Sequence, residues 1–204
     1  MIRNPARLTF PMLFTLAAAS AAAADVSDIM RGCNDCHGEN GVSEWTEIPT
    51  IAGLAEFVHA DALLIYRDAD RPCQDTTYRR GDTARPATNM CEIAATLNDA
   101  EIEAVAAAYA ELPYVRAAQP FDAALATAGK AVHDEHCDRC HTDGGTNPED
   151  EAGMLGGQQS GYLAASMKHY RDHERDQPDK MQEKIDLLSD DDVKALLNYY
   201  ASLQ

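Results

Sequence analysis

Two copies of one five-residue pattern hold four of the six cysteines in this 204-residue chain. They are Cys33-Asn34-Asp35-Cys36-His37 and Cys137-Asp138-Arg139-Cys140-His141. Paired thiols at this spacing support three kinds of chemistry. Four thiolates pooled from both copies would complete a tetrahedral zinc site. A single pair can cycle between dithiol and disulfide, a role found in βαβ surroundings. With a histidine directly after the second cysteine, the pattern is the attachment signal for a c-type haem. The sulfurs then bond to the porphyrin edge and the imidazole ligates iron. Zinc leaves the two fixed histidines without a role, and no strand–helix alternation surrounds either copy. The pattern therefore predicts two covalently bound haem c groups and single-electron chemistry. Cys33, Cys36, Cys137 and Cys140 are the expected anchors, and His37 and His141 the proximal iron ligands.

Each iron needs a sixth ligand. Met90 and Met181 occupy matching places, each shortly before a closing helix and in a loop long enough to reach the haem. Thioether ligation raises the reduction potential relative to bis-histidine. The competing role for either methionine is gap-filling in a core. Met30, Met154 and Met167 have no matched partner. His59, His133, His136, His169 and His173 are read as part of solvated helical faces, and none pairs with another across the chain. Cys73 and Cys91 lie outside the motifs. In an oxidising compartment they are expected to pair, which would hold Met90 in place, while a free Cys91 as iron ligand is the alternative.

The elements that position these groups repeat. From Cys33 to Asp68 the first half matches the second at an offset of 104, pairing Gly53 with Gly157 and Tyr66-Arg67-Asp68 with Tyr170-Arg171-Asp172. Farther on, Met90 matches Met181 and Leu97 matches Leu188 at an offset of 91, so the first half carries 13 extra residues, within about 69–90. Each half reads as three helices and the chain as all-α. A first helix runs into the motif, at 26–33 and 121–136. Middle helices are expected at 55–68 and 161–175, and closing helices at 99–112 and 190–203. Asn98 with Glu101, and Ser189 with Asp192, have capping-box spacing. The stripes Ile102, Val105, Ala106, Tyr109, Leu112 and Val193, Leu196, Leu197, Tyr200, Leu203 face a core.

The expected division is a leader over 1–24, a first domain over 25–116 and a second over 117–204, with the proline-bounded stretch 113–120 as linker. Arg3 and Arg7, the apolar run Phe10 to Ala19 and Ala22-Ala23-Ala24 together read as a cleaved secretory signal. That address implies the periplasm and no membrane insertion afterwards. Net charge is −17, and −19 without Arg3 and Arg7. Such acidity excludes nucleic acid as a partner; it is read either as a field that steers in a soluble redox protein with a basic face or as adaptation to a salty medium and solubility. Domains of about 90 residues bury limited apolar area, so covalently held haem is expected to complete each core.

The chain resembles the tandem dihaem class I cytochromes c, including cytochrome c4. Its second half is more specifically similar to the cytochrome subunit of flavocytochrome c sulfide dehydrogenase. That similarity rests on Phe121-Asp122-Ala123-Ala124-Leu125-Ala126, the run from His133 to His141, Gly144-Gly145, Gly156-Gly157-Gln158 and Tyr162-Leu163. Arg171-Asp172, Met181 and the closing Tyr200-Ala201-Ser202-Leu203-Gln204 add to it. The first half shares the haem motif, the Ala52-Gly53 turn and the closing helix. The resemblance implies a non-catalytic subunit that takes electrons from a sulfide-oxidising flavoprotein carrying FAD and passes them to a soluble cytochrome. A free-standing carrier feeding a terminal oxidase, or a catalytic dihaem enzyme such as a thiosulfate dehydrogenase, are the alternatives. The resemblance also implies that a loop carbonyl near Pro49 accepts the second N–H of His37, with Ala152-Gly153 in the equivalent place of the second half. The extra segment with Cys73 and Cys91 departs from the pattern.

Overall fold

The computed structural model describes residues 25–204; the leader expected at 1–24 lies outside the described residues. The first half contains α1 (Val26–His37), α2 (Glu56–Arg67), α3 (Met90–Ala94) and α4 (Asp99–Ala110). The second contains α5 (Ala123–His136), α6 (Thr142–Gly145), α7 (Ser160–Arg171), α8 (Asp179–Ile185) and α9 (Asp190–Ser202). Among the described residues the one extended pairing is an isolated antiparallel bridge between Thr76 and Thr88. The fold is all-α, in two halves that repeat the same order of helices. No helix among the described residues is long and apolar enough to cross a membrane.

Both closing helices start as their sequences dictate. The Asn98 side chain accepts from the Glu101 N–H at 3.0 Å, and the Glu101 carboxylate accepts from the Asn98 N–H at 3.0 Å. The Ser189 hydroxyl and Asp192 carboxylate do the same for α9, at 3.1 and 3.0 Å. Each such exchange satisfies two amide donors that a helix start leaves unpaired. The middle helices stop alike. Ala69 (φ 58°) and His173 (φ 55°), which match at the 104 offset, both turn left-handed. The N–H of Asp70 then donates to Ile65 and that of Glu174 to His169, at 3.0 and 2.9 Å, closing both helices. Helix α7 thus ends at Arg171, four residues before the expected Arg175. The stop uses His173 rather than glycine, so no glycine marks it in the sequence.

The cores follow the predicted stripes. Ile102, Val105 and Tyr109 of α4 pack with Ile51 and Leu63. Leu196, Tyr199 and Tyr200 of α9 pack with Leu163, Ile185 and Leu188. The halves differ in their first helix. All 14 residues of α5 precede Cys137, whereas α1 is 12 residues long and already contains Cys33, Cys36 and His37. Helix α5 crosses α9 at Gly129, where an added Cβ would lie 2.0 Å from the Ala195 carbonyl oxygen. A Cβ added to Gly32 of α1 would meet nothing within 4 Å. In the first half the extra segment folds against Asp35, near the C-terminal end of α1. It runs between α2 and α3 and is pinned by the Cys73–Cys91 disulfide, whose Cα atoms are 5.8 Å apart.

Two glycine substitutions are therefore expected to have opposite effects. Gly129→Val should destabilise by about 2 kcal/mol or more, because helix backbone must move to admit the side chain. Gly32→Ala should stabilise by up to about 1 kcal/mol through helix propensity alone. Denaturant unfolding of both variants, followed by circular dichroism, checks the pair.

Two candidate haem sites

Helix α1 carries the first motif on its last turns, with His37 buried at its end. His37 Nδ1 lies 2.9 Å from the Pro49 carbonyl oxygen. A carbonyl only accepts, so Nδ1 holds the proton and Nε2 keeps its lone pair free for a metal. Burial drives the His37 pKa down, against the opposing pull of the Pro49 carbonyl. This places the expected loop carbonyl at Pro49. In the second half Gly153 takes that place, and burial drives the His141 pKa down against the opposing pull of its carbonyl. Yet Nδ1 of His141 makes no hydrogen bond of ordinary geometry. The second motif also lies beyond its helix, in the turns after Cys137, which caps α5.

Each half gathers its predicted groups on one apolar cluster. Cys33 and Met90 pack on the core of Leu63, Ile102 and Tyr109. Cys137 and Met181 pack on that of Leu163, Leu196 and Tyr200. Both methionines sit in short helices rather than in the expected loops: Met90 is the first residue of α3, and Met181 lies within α8. Asn89 caps α3 by accepting from the Glu92 N–H at 3.0 Å, and Pro178 sets the entry of α8. These local starts fix where each methionine sits.

Tyr109 and Tyr200, matched at the 91 offset, face the first thiol of each motif. The Tyr109 hydroxyl lies 2.7 Å from the Asn34 side-chain oxygen and 3.1 Å from the Met30 carbonyl, with its one proton shared between these acceptors. Tyr200 Oη lies 3.0 Å from His133 Nδ1. Burial, partly offset by Tyr109, raises the Cys33 thiol to about 11. Burial likewise raises Cys36 and Cys137. No three His, Cys, Asp or Glu side chains among the described residues gather into a metal-binding cluster, so the four thiols are not pooled for zinc. The surroundings of both motifs are helical and lack the βαβ setting of a redox dithiol. A cysteine pair beside a ligating histidine in each half fits thioether attachment.

The expectation of solvated histidines is corrected for three of the five. His59 is buried and stacks on Tyr109 with ring centroids 5.4 Å apart; burial, then the nearby His37, lowers it to about 4. His133 is fully buried and His169 nearly so, both with lowered pKa from burial. The missed signal was helical phase: His59 precedes the buried Leu63 by one turn, and His169 follows the buried Leu163 and Ser166 along α7.

Two arginines outside the motifs were also missed. Arg71 and Arg175 match at the 104 offset, and each stacks on its matched tyrosine. Arg71 lies 4.1 Å over the Tyr66 ring and Arg175 lies 4.5 Å over that of Tyr170. Arg71 is only 5 % exposed; burial works against its charge, and the surrounding hydroxyls of Tyr162, Tyr66 and Tyr170 support it. Nε of both arginines is buried without a partner among the described residues. Burial opposes ionisation of Tyr162, but Arg71 and Arg175 outweigh it and lower that hydroxyl.

The two sites are joined through Gln158, which is 2 % exposed. Its Oε1 accepts from the Thr50 N–H and its Nε2 donates to the Thr50 carbonyl, both at 2.9 Å. Gln159 donates to the Ser43 carbonyl at 2.7 Å, and the Tyr162 N–H to the Thr46 carbonyl at 2.8 Å. Second-half side chains thus hold the loop whose Pro49 carbonyl orients His37.

The comparisons with known proteins agree with this geometry. The family described as cytochrome C oxidase, cbb3-type, subunit III matches residues 124–199, within the second half. The chain is 29 % identical over 182 residues to the thiosulfate dehydrogenase electron acceptor of Stutzerimonas stutzeri (strain A1501), covering 84 % of this chain and 78 % of that one. Cytochrome c4 of Acidithiobacillus ferrooxidans superimposes with a TM-score of 0.68 at 22 % identity, over 84 % of this chain and 99 % of its own. Reduced recombinant cytochrome c4 of Pseudomonas stutzeri also gives 0.68, at 25 % identity over 89 % and 100 %. Thiosulfate dehydrogenase (TsdBA) of Marichromatium purpuratum gives 0.64 at 25 %, over 83 % of this chain and 36 % of its own. Fold, paired motifs and these likenesses define the class: the chain is a dihaem class I cytochrome c. It carries two covalently bound haem c groups and transfers electrons.

Replacing Gln158 by leucine should leave the Thr50 N–H and carbonyl buried without partners, at a cost of about 2–3 kcal/mol. The expected readout is a lowered unfolding midpoint together with a shifted potential for one haem and an unmoved potential for the other.

Proposed function

We propose that this chain is a periplasmic electron carrier that accepts single electrons from a thiosulfate-oxidising dehydrogenase and hands them to a soluble redox protein. The carrying observation is the matched placement of Met90 with Cys33 and of Met181 with Cys137, each pair on the apolar core of its own half. Two alike, fully ligated sites suit transfer rather than substrate chemistry. The relative of this length is named as an acceptor, not as the dehydrogenase itself. Delivery from a sulfide-oxidising flavoprotein, with FAD, is the second reading. Its support is the residue-level resemblance of the second half, from Phe121 to the closing Gln204.

Haem supplies reversible one-electron chemistry when bound; the chain supplies position and tuning. Cys33 with Cys36, and Cys137 with Cys140, would anchor the two groups. His37 and Met90 would ligate one iron, and His141 and Met181 the other. The Pro49 carbonyl holds one imidazole through an ordinary hydrogen bond, and Gly153 leaves the other more weakly held. A firmer second bond raises ligand basicity, so the two sites would differ in potential. Arg71 and Arg175 would meet the haem carboxylates, the anions that two partly or wholly buried guanidinium groups otherwise lack. The Cys73–Cys91 pair would tether Met90, its neighbour in sequence. The leader over 1–24 and the domain limits 25–116 and 117–204 complete the reading.

Two measurements test it. Met90→His and Met181→His should each remove half of the absorption band due to Met–iron ligation and lower one of the two potentials, leaving the other unchanged. Loss of the whole band from a single substitution would refute the matched ligand sets. Untagged purification from the native source should yield a dehydrogenase partner without flavin. A flavin-containing partner would favour the sulfide reading.

A further inference from the structure

The 13 residues by which the first half exceeds the second fold back over the first motif. The N–H groups of Arg79 and Arg80 both donate to the Asp35 carbonyl, at 2.8 and 2.9 Å. The Arg85 guanidinium holds the Asp35 carboxylate, while Arg79 reaches Glu47 and Arg80 reaches Glu39. Gly81 (φ 64°) passes so close that a Cβ there would lie 2.7 Å from the Asp35 carboxylate. Arg85 also covers the Tyr78 ring at 3.5 Å. The ends of this strap are fastened by the Cys73–Cys91 disulfide and the Thr76–Thr88 bridge.

Asp35 stands between Cys33 and Cys36, so the strap lies on the edge where the first haem is bonded. The second motif has no such cover: Asp138, Arg139 and Cys140 are all exposed. The edges also differ in charge at matched positions. Asp134, Glu135, Asp138 and Arg139 correspond to Met30, Arg31, Asn34 and Asp35; Arg85 pairs with Asp35 and Lys130 with Asp134, so Glu135 and Asp138 carry the acidity that distinguishes the second edge.

We propose that the strap closes the first edge to other redox proteins, and that single electrons pass between this chain and a basic, soluble electron carrier across the Cys137–Cys140 edge. The proposal rests on haem attachment at both motifs. The exchange moves one electron: a ferrous centre of this chain becomes ferric as a ferric carrier becomes ferrous, and no bond or proton changes place. Electron tunnelling falls steeply with distance, so a layer of side chains over one edge leaves the bare one as the faster route.

The test uses mature protein shown to hold two haems per chain, reduced and mixed by stopped flow with ferric horse-heart cytochrome c as a basic probe. Glu135→Lys, on the exposed second edge, should slow the reaction about tenfold at low salt, with the gap closing as salt rises. Asp28→Lys, exposed on α1, should leave the rate within about twofold. Arg79→Ala with Arg85→Ala should open the strap and restore much of the rate lost in the Glu135→Lys background. Equal slowing by Asp28→Lys and Glu135→Lys would overturn the proposal, as would an opened strap that brings no gain. Should the double arginine variant fail to fold, carbodiimide cross-linking of the unaltered protein to the same probe decides. Bonds at Asp134, Glu135 or Asp138 support the proposal, and bonds at Asp28 or Glu39 overturn it. A product with fewer than two haems would count against the attachment reading instead.

Discussion

The Thr50 peptide makes two similar halves into one molecule. Its N–H and carbonyl are both taken by Gln158, and its neighbour Pro49 offers the carbonyl that orients His37. A buried amide must find both partners or cost as much as several good contacts contribute. A side chain from the second half supplies both, in the geometry of a backbone pair. The proximal loop of the first half is therefore held from outside its own domain. Gln159, Tyr162 and Thr46 extend the same seam with further hydrogen bonds.

Around that seam the halves solve the same packing problem differently. A domain of this size cannot close a core from a few short helices alone. In the second half, α5 lies along α9, and Gly129 lets the two backbones approach. In the first, α1 has about half that length ahead of its motif, and the segment from Cys73 to Cys91 is bonded to Asp35 within the motif. Tyr109 and Tyr200 are common to both solutions. Each reaches from the closing helix back to the helix that leads into its motif.

Much of this was legible in the residues themselves. The paired motifs, the capping boxes at Asn98 and Ser189, the offset of 104 and the apolar stripes all act through short-range patterns, and the structure follows them. The Pro49 carbonyl was foreseen by resemblance and the Cys73–Cys91 pair from the oxidising compartment. What escaped depends on tertiary partners. His133 read as a surface residue because its burial is decided by Tyr200, far along the chain, whereas the phase of His59 with Leu63 was there to be read. Arg71 and Arg175 read as ordinary charges because only the fold lays them on Tyr66 and Tyr170. The stop of α7 at Arg171 relies on a left-handed histidine, a conformation for which the sequence carries no marker.

The Cys73–Cys91 bond restrains the polypeptide while it is still unfolded. It joins residues 18 apart, and a closed loop of that size removes about 3 kcal/mol worth of freedom from the disordered polypeptide in a chain-entropy view. No matching constraint acts on the other copy, whose non-motif cysteines are absent. One half therefore carries a cross-link in the denatured ensemble, beyond its haem attachment, that the other lacks.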